Sequence, residues 1–118
     1  MKAIIEVSAK GSIFRAAATQ VAAARKGRTP DFRLSFESAR ALFSELTPAR
    51  LDLLDTLRRV GPCSVNSLAK AAERNYSNVH RDVARMEELG LIERTESGEV
   101  SVPYESVEIL VPLARAVA

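Results

Sequence analysis

The chain has one cysteine, one histidine and no apolar run long enough to cross a membrane. Each scarcity removes a class of protein. Cys63 alone cannot form an internal disulfide, and one thiol is too few for a zinc site, which fits a reducing cytoplasm. Without about 18 consecutive apolar residues, no transmembrane helix is expected. The segment after Met1 lacks an apolar core followed by a cleavage site, so no secretory leader is expected either. With a single His and a single Cys, a His-based metal site or a Cys/His dyad has almost nothing to work with. The acids stand singly or on solvated faces, and no glycine-rich loop cradles phosphate. No enzyme, metal or cofactor is therefore expected.

What is present suits a small soluble domain. The 118 residues fit one domain, or one domain with an appendage, and can bury a core without covalent staples. Lys2 to Ser8 alternates Ala3, Ile5 and Val7 with Lys2, Ile4, Glu6 and Ser8, a strand pattern. Ile4 makes the second face partly apolar too. Gly11-Ser12 breaks this strand, and an alanine-rich helix is expected over Ile13–Lys26, stopped at Gly27. After a turn at Pro30, Phe32, Leu34 and Phe36 alternate with Arg33, Ser35 and Glu37 as a second half-buried strand. Two strands make a poor free-standing sheet. A third is needed, from the C-terminus or from a second copy of the chain.

The middle of the chain reads as four helices. Ser38 can cap a short one over Ala39–Glu45, anchored by Leu42 and Phe43. Thr47-Pro48 restarts the chain, with Thr as cap and Pro in the first helical turn. The helix that follows carries a stripe of Ala49, Leu53, Leu57 and Val60, widened by Leu54, and ends at Gly61-Pro62. Ser64 caps a shorter helix over Val65–Ala72, with Val65, Leu68 and Ala72 inward. A tight connection at Glu73–Asn75 leads into the most informative stretch, YSNVHRDVARMEELGLI, residues 76–92. Val79, Val83 and Met86 fall on one helical face, with Tyr76 and Leu89 at its margins. Asn75 or Ser77 can cap the start, and Gly90 fits the stop. Ser77, Arg81, Ala84 and Glu88 point outward, with Asn78 and Arg85 beside them. Arg can grip guanine or phosphate, and Asn can read adenine, whereas Glu87 and Glu88 repel phosphate, so the N-terminal half is the half expected to enter a groove.

After Gly90, the run LIERTESGEVSVP reads as a hairpin turning at Ser97-Gly98, with Leu91, Ile92, Val100 and Val102 in its arms. Its tip carries Glu93, Glu96 and Glu99 against Arg94, so it is expected to stay off DNA. Val107–Val111 reads as a final strand that joins the first two, in the same chain or in a second copy, and Pro112 ends it. The expected fold class is α+β: a winged helix-turn-helix over residues 46–103, an N-terminal strand-helix-strand unit over 1–45 serving dimerisation, and a C-terminal strand and tail over 104–118.

Residues 46–104 resemble small MarR-like winged-helix transcriptional regulators, and Asn78-Val79-His80-Arg81-Asp82-Val83 is the most distinctive part of the likeness. In such regulators the recognition helix reads the major groove, usually in a dimer. By position, the resemblance implies DNA contact from Ser77, Asn78, His80, Arg81 and Arg85, with Ser64, Asn66 and Ser67 facing phosphate at the preceding helix start. The acidic hairpin departs from this pattern. Tyr76 is read as packing on the core with its hydroxyl toward phosphate. His80 is open between a DNA hydrogen bond and a helix-flank contact with a neighbour. Asp82 reads as a partner for Arg74 or Arg85 rather than a DNA reader.

Charge qualifies this reading. Residues 1–46 carry eight Lys/Arg and four Asp/Glu, whereas residues 47–103 carry eight and nine. DNA affinity draws heavily on phosphate neutralisation. A segment without surplus positive charge needs a basic outer face or a symmetric twin. The leading expectation is a homodimeric, sequence-specific regulator of transcription on double-stranded DNA, paired through residues 1–37 and 106–111. The alternative is a protein-interaction module, or an antitoxin that holds a toxin partner and regulates its own operon.

Overall fold

The computed structural model describes residues 1–8 and 31–113. The helix expected over Ile13–Lys26 and the tail beyond Leu113 lie outside the described residues. The fold is α+β, and the chain divides into two units, Met1–Glu45 with Ser106–Ala118, and Leu46–Glu105.

In the first unit, β1 (Ala3–Val7) is the middle strand of a three-stranded sheet, flanked by β2 (Phe32–Phe36) and β5 (Val107–Leu110). Both pairings are parallel. The third strand that the sequence required therefore comes from the same chain. Register puts Ala3 beside Phe32 and Val107, and Ile5 beside Leu34 and Ile109. One face of the sheet is thus apolar across all three strands, and Ala3 and Ile5 are fully buried on it. The other face is tied by charge: Lys2 Nζ lies 3.3 Å from Glu108, and Arg33 lies 3.8 Å from Glu6. Helix α1 (Ala39–Glu45) packs against β1 and β2. It buries Leu42 and leaves Phe43 exposed, against the expectation that both anchor it. Consecutive helical residues diverge by about 100°, so this short helix can turn only one of the two inward.

The second unit holds α2 (Pro48–Val60), α3 (Val65–Ala72), α4 (Tyr76–Glu88) and a hairpin of β3 (Glu93–Arg94) with β4 (Val100–Ser101). Local sequence chemistry sets each boundary. Thr47 Oγ1 accepts from the Arg50 N–H at the start of α2 (3.2 Å), and Ser64 Oγ accepts from the Ser67 N–H at the start of α3 (3.1 Å). Asn75, rather than Ser77, caps α4, its Oδ1 accepting from the Asn78 N–H (3.3 Å). Helix α4 ends in a reciprocal pair of backbone bonds, Leu91 N–H to Met86 O (2.9 Å) and Gly90 N–H to Glu87 O (3.1 Å). That closure needs a left-handed residue, and Gly90 supplies it at φ 86°. The same motif closes α3 with Arg74 N–H to Ala69 O and Glu73 N–H to Lys70 O, but there the left-handed position is held by Glu73, at φ 54°.

The core of this unit is Leu46, Leu53, Leu54, Leu57, Val65, Leu68, Ala69, Val79, Val83 and Met86, continued by Leu91, Ile92, Val100 and Val102. The α4 face matches its periodicity. The α2 stripe differs at both ends: Ala49 and Val60 are exposed, and burial runs instead through Leu46, Leu53, Leu54 and Leu57. The helix outruns its contacts at Val60 and turns Ala49 outward in its first turn. In α3 the third buried residue is Ala69, while Ala72, the last residue of the helix, is only half-buried. Leu91 and Ile92 precede β3 instead of lying in it, and serve as core residues under the hairpin. Cys63 pairs with Val100 by two backbone bonds, Cys63 N–H to Val100 O (3.2 Å) and Val100 N–H to Cys63 O (2.8 Å), so the α2–α3 connection adds a third partner to the hairpin.

Candidate functional site

The outer face of α4 is the surface on which most of the sequence-derived contact residues converge. Burying Val79, Val83 and Met86 on one side turns Ser77, Asn78 and Arg81 to solvent on the other. Tyr76 and His80 are exposed beside them, one helical turn apart, with ring centroids 5.8 Å apart and planes tilted by 39°. His80 thus has a neighbour on its own helix, and Tyr76 lies more in solvent than the packing expectation held. At the start of α3, Ser64, Asn66 and Ser67 are all exposed. Two of them are partly occupied with each other, since Ser64 Oγ lies 3.0 Å from Ser67 Oγ while it caps the helix.

The charged groups sort into those held by protein and those left over. Asp82 is held twice. Arg74 Nη2 donates to its Oδ2 at 2.8 Å, and Arg50 Nε donates to its Oδ1 at 3.0 Å. Burial pushes the Asp82 carboxyl up, but the hydrogen bonds and charges of Arg74 and Arg50 outweigh it and hold the group below its ordinary value. Arg74 was an expected partner. Arg50, which comes from α2, was not; Arg85 pairs instead with Glu88 (2.8 Å), which removes much of its attraction for phosphate. Arg94 is drawn back onto Glu87 (3.0 Å), so the hairpin presents Glu93, Glu96 and Glu99 without a competing cation of its own. Arg81 is different: among the described residues no acid or acceptor engages its side chain.

Two supports fix this surface. The Asp82 clamp joins α2, the α3–α4 turn and α4. Tyr104, buried after β4, donates its hydroxyl to Gly90 O (2.8 Å) and so anchors the α4 stop. Burial, and then the charge of Glu93, push the Tyr104 hydroxyl above its ordinary value. Neither Arg50 nor Tyr104 was singled out from sequence. An acid on a half-buried flank signals that cations must be near it, but a partner from another helix leaves no mark in local periodicity. Tyr104 sits in an aperiodic stretch after Pro103. Cys63 is half-buried, and burial with Glu99 raises its thiol, so it stays protonated at neutral pH. Among the described residues no group of His, Cys, Asp and Glu is gathered to hold a metal, and no helix is long and apolar enough to cross a membrane.

The second unit is therefore an α+β arrangement of helices and a small hairpin, with one helix face bearing polar and cationic groups. The model of the HVO_A0114 family matches residues 45–109, more than half of the chain, and the chain belongs to that family. No curated protein and no solved structure shows a significant match to it.

Proposed function

We propose that residues 46–105 form a winged helix-turn-helix of the MarR-like kind, and that the chain is a homodimeric, sequence-specific DNA-binding regulator of transcription. In this reading α3 braces against the DNA backbone. Helix α4 (Tyr76–Glu88, where the recognition helix was expected over residues 77–89) lies in the major groove, and the β3–β4 hairpin is the wing. The observation that carries the reading is the outer face of α4: Ser77, Asn78 and the guanidinium of Arg81, which no described residue engages, share the exposed N-terminal half of a helix whose opposite face is fully buried. Arg81 is the base reader, Asn78 an adenine or phosphate contact, and Ser64, Asn66 and Ser67 are phosphate contacts. Tyr76 and His80 contribute at the flank. Arg85 contributes least, because binding must first break its pair with Glu88.

Selection of bound sequences from a random DNA pool tests this directly. A palindromic motif with half-sites about one helical turn apart is expected. Arg81→Ala should weaken binding to the selected site by about 1–3 kcal/mol without changing the melting temperature. Recovery of no enriched sequence rejects the reading.

The acidic hairpin favours a second reading, a winged-helix module that binds protein, including an antitoxin with a toxin partner. Exposed Glu93, Glu96 and Glu99 suit a basic protein surface better than phosphate. Sequence dependence separates the two classes, since a DNA-binding regulator prefers its selected site to a scrambled duplex and a module that binds protein through this hairpin does not.

A further inference from the structure

Among the described residues, the outer edge of β5 is an open strand edge. In the first unit, Ala3 N–H donates to Ser106 O (3.0 Å), and Ala3 is aligned with Val107. In a parallel ladder this phase sends the backbone groups of Glu108 and Leu110 inward to β1. Those of Val107 and Ile109 point outward, and among the described residues no strand meets them. The side chains at the end of this strand are apolar and exposed: Ile109 at 37% and Leu110 at 55%. An open edge of this kind normally carries lysine, proline or a bulge against pairing. Before Pro112, β5 has only Glu108, and that carboxylate is turned to Lys2 of its own chain. The opposite edge, β2, leaves no side chain fully exposed within the strand.

We propose that two chains join edge to edge through β5, antiparallel, about a two-fold axis at Ile109, making one continuous sheet β2-β1-β5-β5-β1-β2. The register follows from the residues. A shift of one residue would set one copy's apolar face level with the other's charged face. Centring on Glu108 would place two carboxylates directly opposite, which is repulsive. Centring on Leu110 would set Val107 opposite Leu113, three residues past the end of β5 and beyond Pro112. Centring on Ile109 avoids all three. Ile109 then exchanges both backbone bonds with its counterpart, Val107 pairs with Val111 of the second copy, and Glu108 lies opposite Leu110. This names the interface of the homodimer proposed above. It rests on that dimer and is independent of whether DNA is bound.

Cysteine cross-linking of the full chain, in a Cys63→Ser background, tests the register. Opposed residues of a hydrogen-bonded antiparallel pair have Cα atoms about 5.5 Å apart, within disulfide reach. Ile109→Cys should therefore give a covalent dimer under mild oxidation. Leu110→Cys should give far less, because its counterpart lies about 7–8 Å away on the diagonal. Ile109→Pro removes an N–H that points away from β1, and should shift the light-scattering mass from twice 12.9 kDa to 12.9 kDa while the far-ultraviolet circular dichroism is kept. A dimer that does not cross-link at position 109 overturns the β5 interface and leaves the homodimer standing. A monomeric wild-type chain at micromolar concentration overturns both.

Discussion

Replacing Asp82 by asparagine tests the link between core and surface, because the substitution keeps the shape of the side chain and removes only its charge. The carboxylate accepts from Arg74 at 2.8 Å and from Arg50 at 3.0 Å. Its side chain is 14% exposed, and those of Arg50 and Arg74 are 16% and 28% exposed. Breaking a fully buried ion pair costs about 3–5 kcal/mol, and an exposed pair contributes about 1 kcal/mol or less. This pair lies nearer the buried limit, but Arg74 keeps some access to water. An asparagine oxygen also preserves one neutral hydrogen bond. Asp82→Asn should therefore cost about 2–3 kcal/mol at pH 7. At about 0.05–0.15 kcal/mol per residue, the 46–105 unit has roughly 3–9 kcal/mol in all, so the loss is a large fraction of it.

Urea denaturation of the two proteins at several pH values supplies the assay. The folded Asp82 carboxyl titrates below its ordinary value. Its stabilisation is thus complete above the unfolded value near pH 4, and is lost as pH falls through the folded value. The gap between wild type and Asp82→Asn should be constant from about pH 5 to pH 8 and close in acid. Other carboxylates protonate alike in both proteins and cancel. A gap under about 0.5 kcal/mol at pH 7, or one that persists unchanged at pH 2, would refute the clamp.

Three further outcomes follow from particular residues. Glu73→Gly should raise stability by about 0.5–1 kcal/mol in a urea melt, since Glu73 holds φ at 54° where a side chain is strained and glycine is not. Tyr104→Phe should cost about 1 kcal/mol at neutral pH by orphaning Gly90 O. Because the folded Tyr104 hydroxyl is raised, its contribution is intact below about pH 10 and declines as pH rises through the folded value, so the two proteins should converge in alkali. Ser64→Ala should cost about 1 kcal/mol through the lost cap of α3, read as a lower melting temperature.

Much of the fold is written in local chemistry. The Thr47-Pro48 and Ser64 caps, the Gly90 stop and the 79-83-86 repeat each act within a few residues, so their elements stand where the pattern puts them. Short helices are harder to read. In α1 the choice between Leu42 and Phe43 depends on which side of the helix faces the sheet, and fewer than two turns repeat too little of the pattern to decide it. The parallel pairing of β1 with β5 spans about a hundred residues of sequence. Alternating apolar residues predict that such a strand exists, but its direction and its neighbour are set by the packing of distant elements.

The candidate site was legible in position and illegible in charge. Helical periodicity finds the outward side chains, because burial of one face dictates the other. It cannot say which outward charges are already neutralised. Of the arginines on and beside α4, Arg74 is given to Asp82, Arg85 to Glu88 and Arg94 to Glu87. A count over residues 47–103 sees a near balance of signs and suggests a surface indifferent to phosphate. The pairing shows that this balance is achieved by specific contacts around Arg81 and not at Arg81 itself. Neutralising its neighbours removes competing cations from the same face, so a groove-bound α4 would have one strong guanidinium per copy with which to distinguish sequences. Such a helix would owe more of its specificity than of its affinity to charge, and would need the two-fold repetition that the proposed β5-joined dimer would supply.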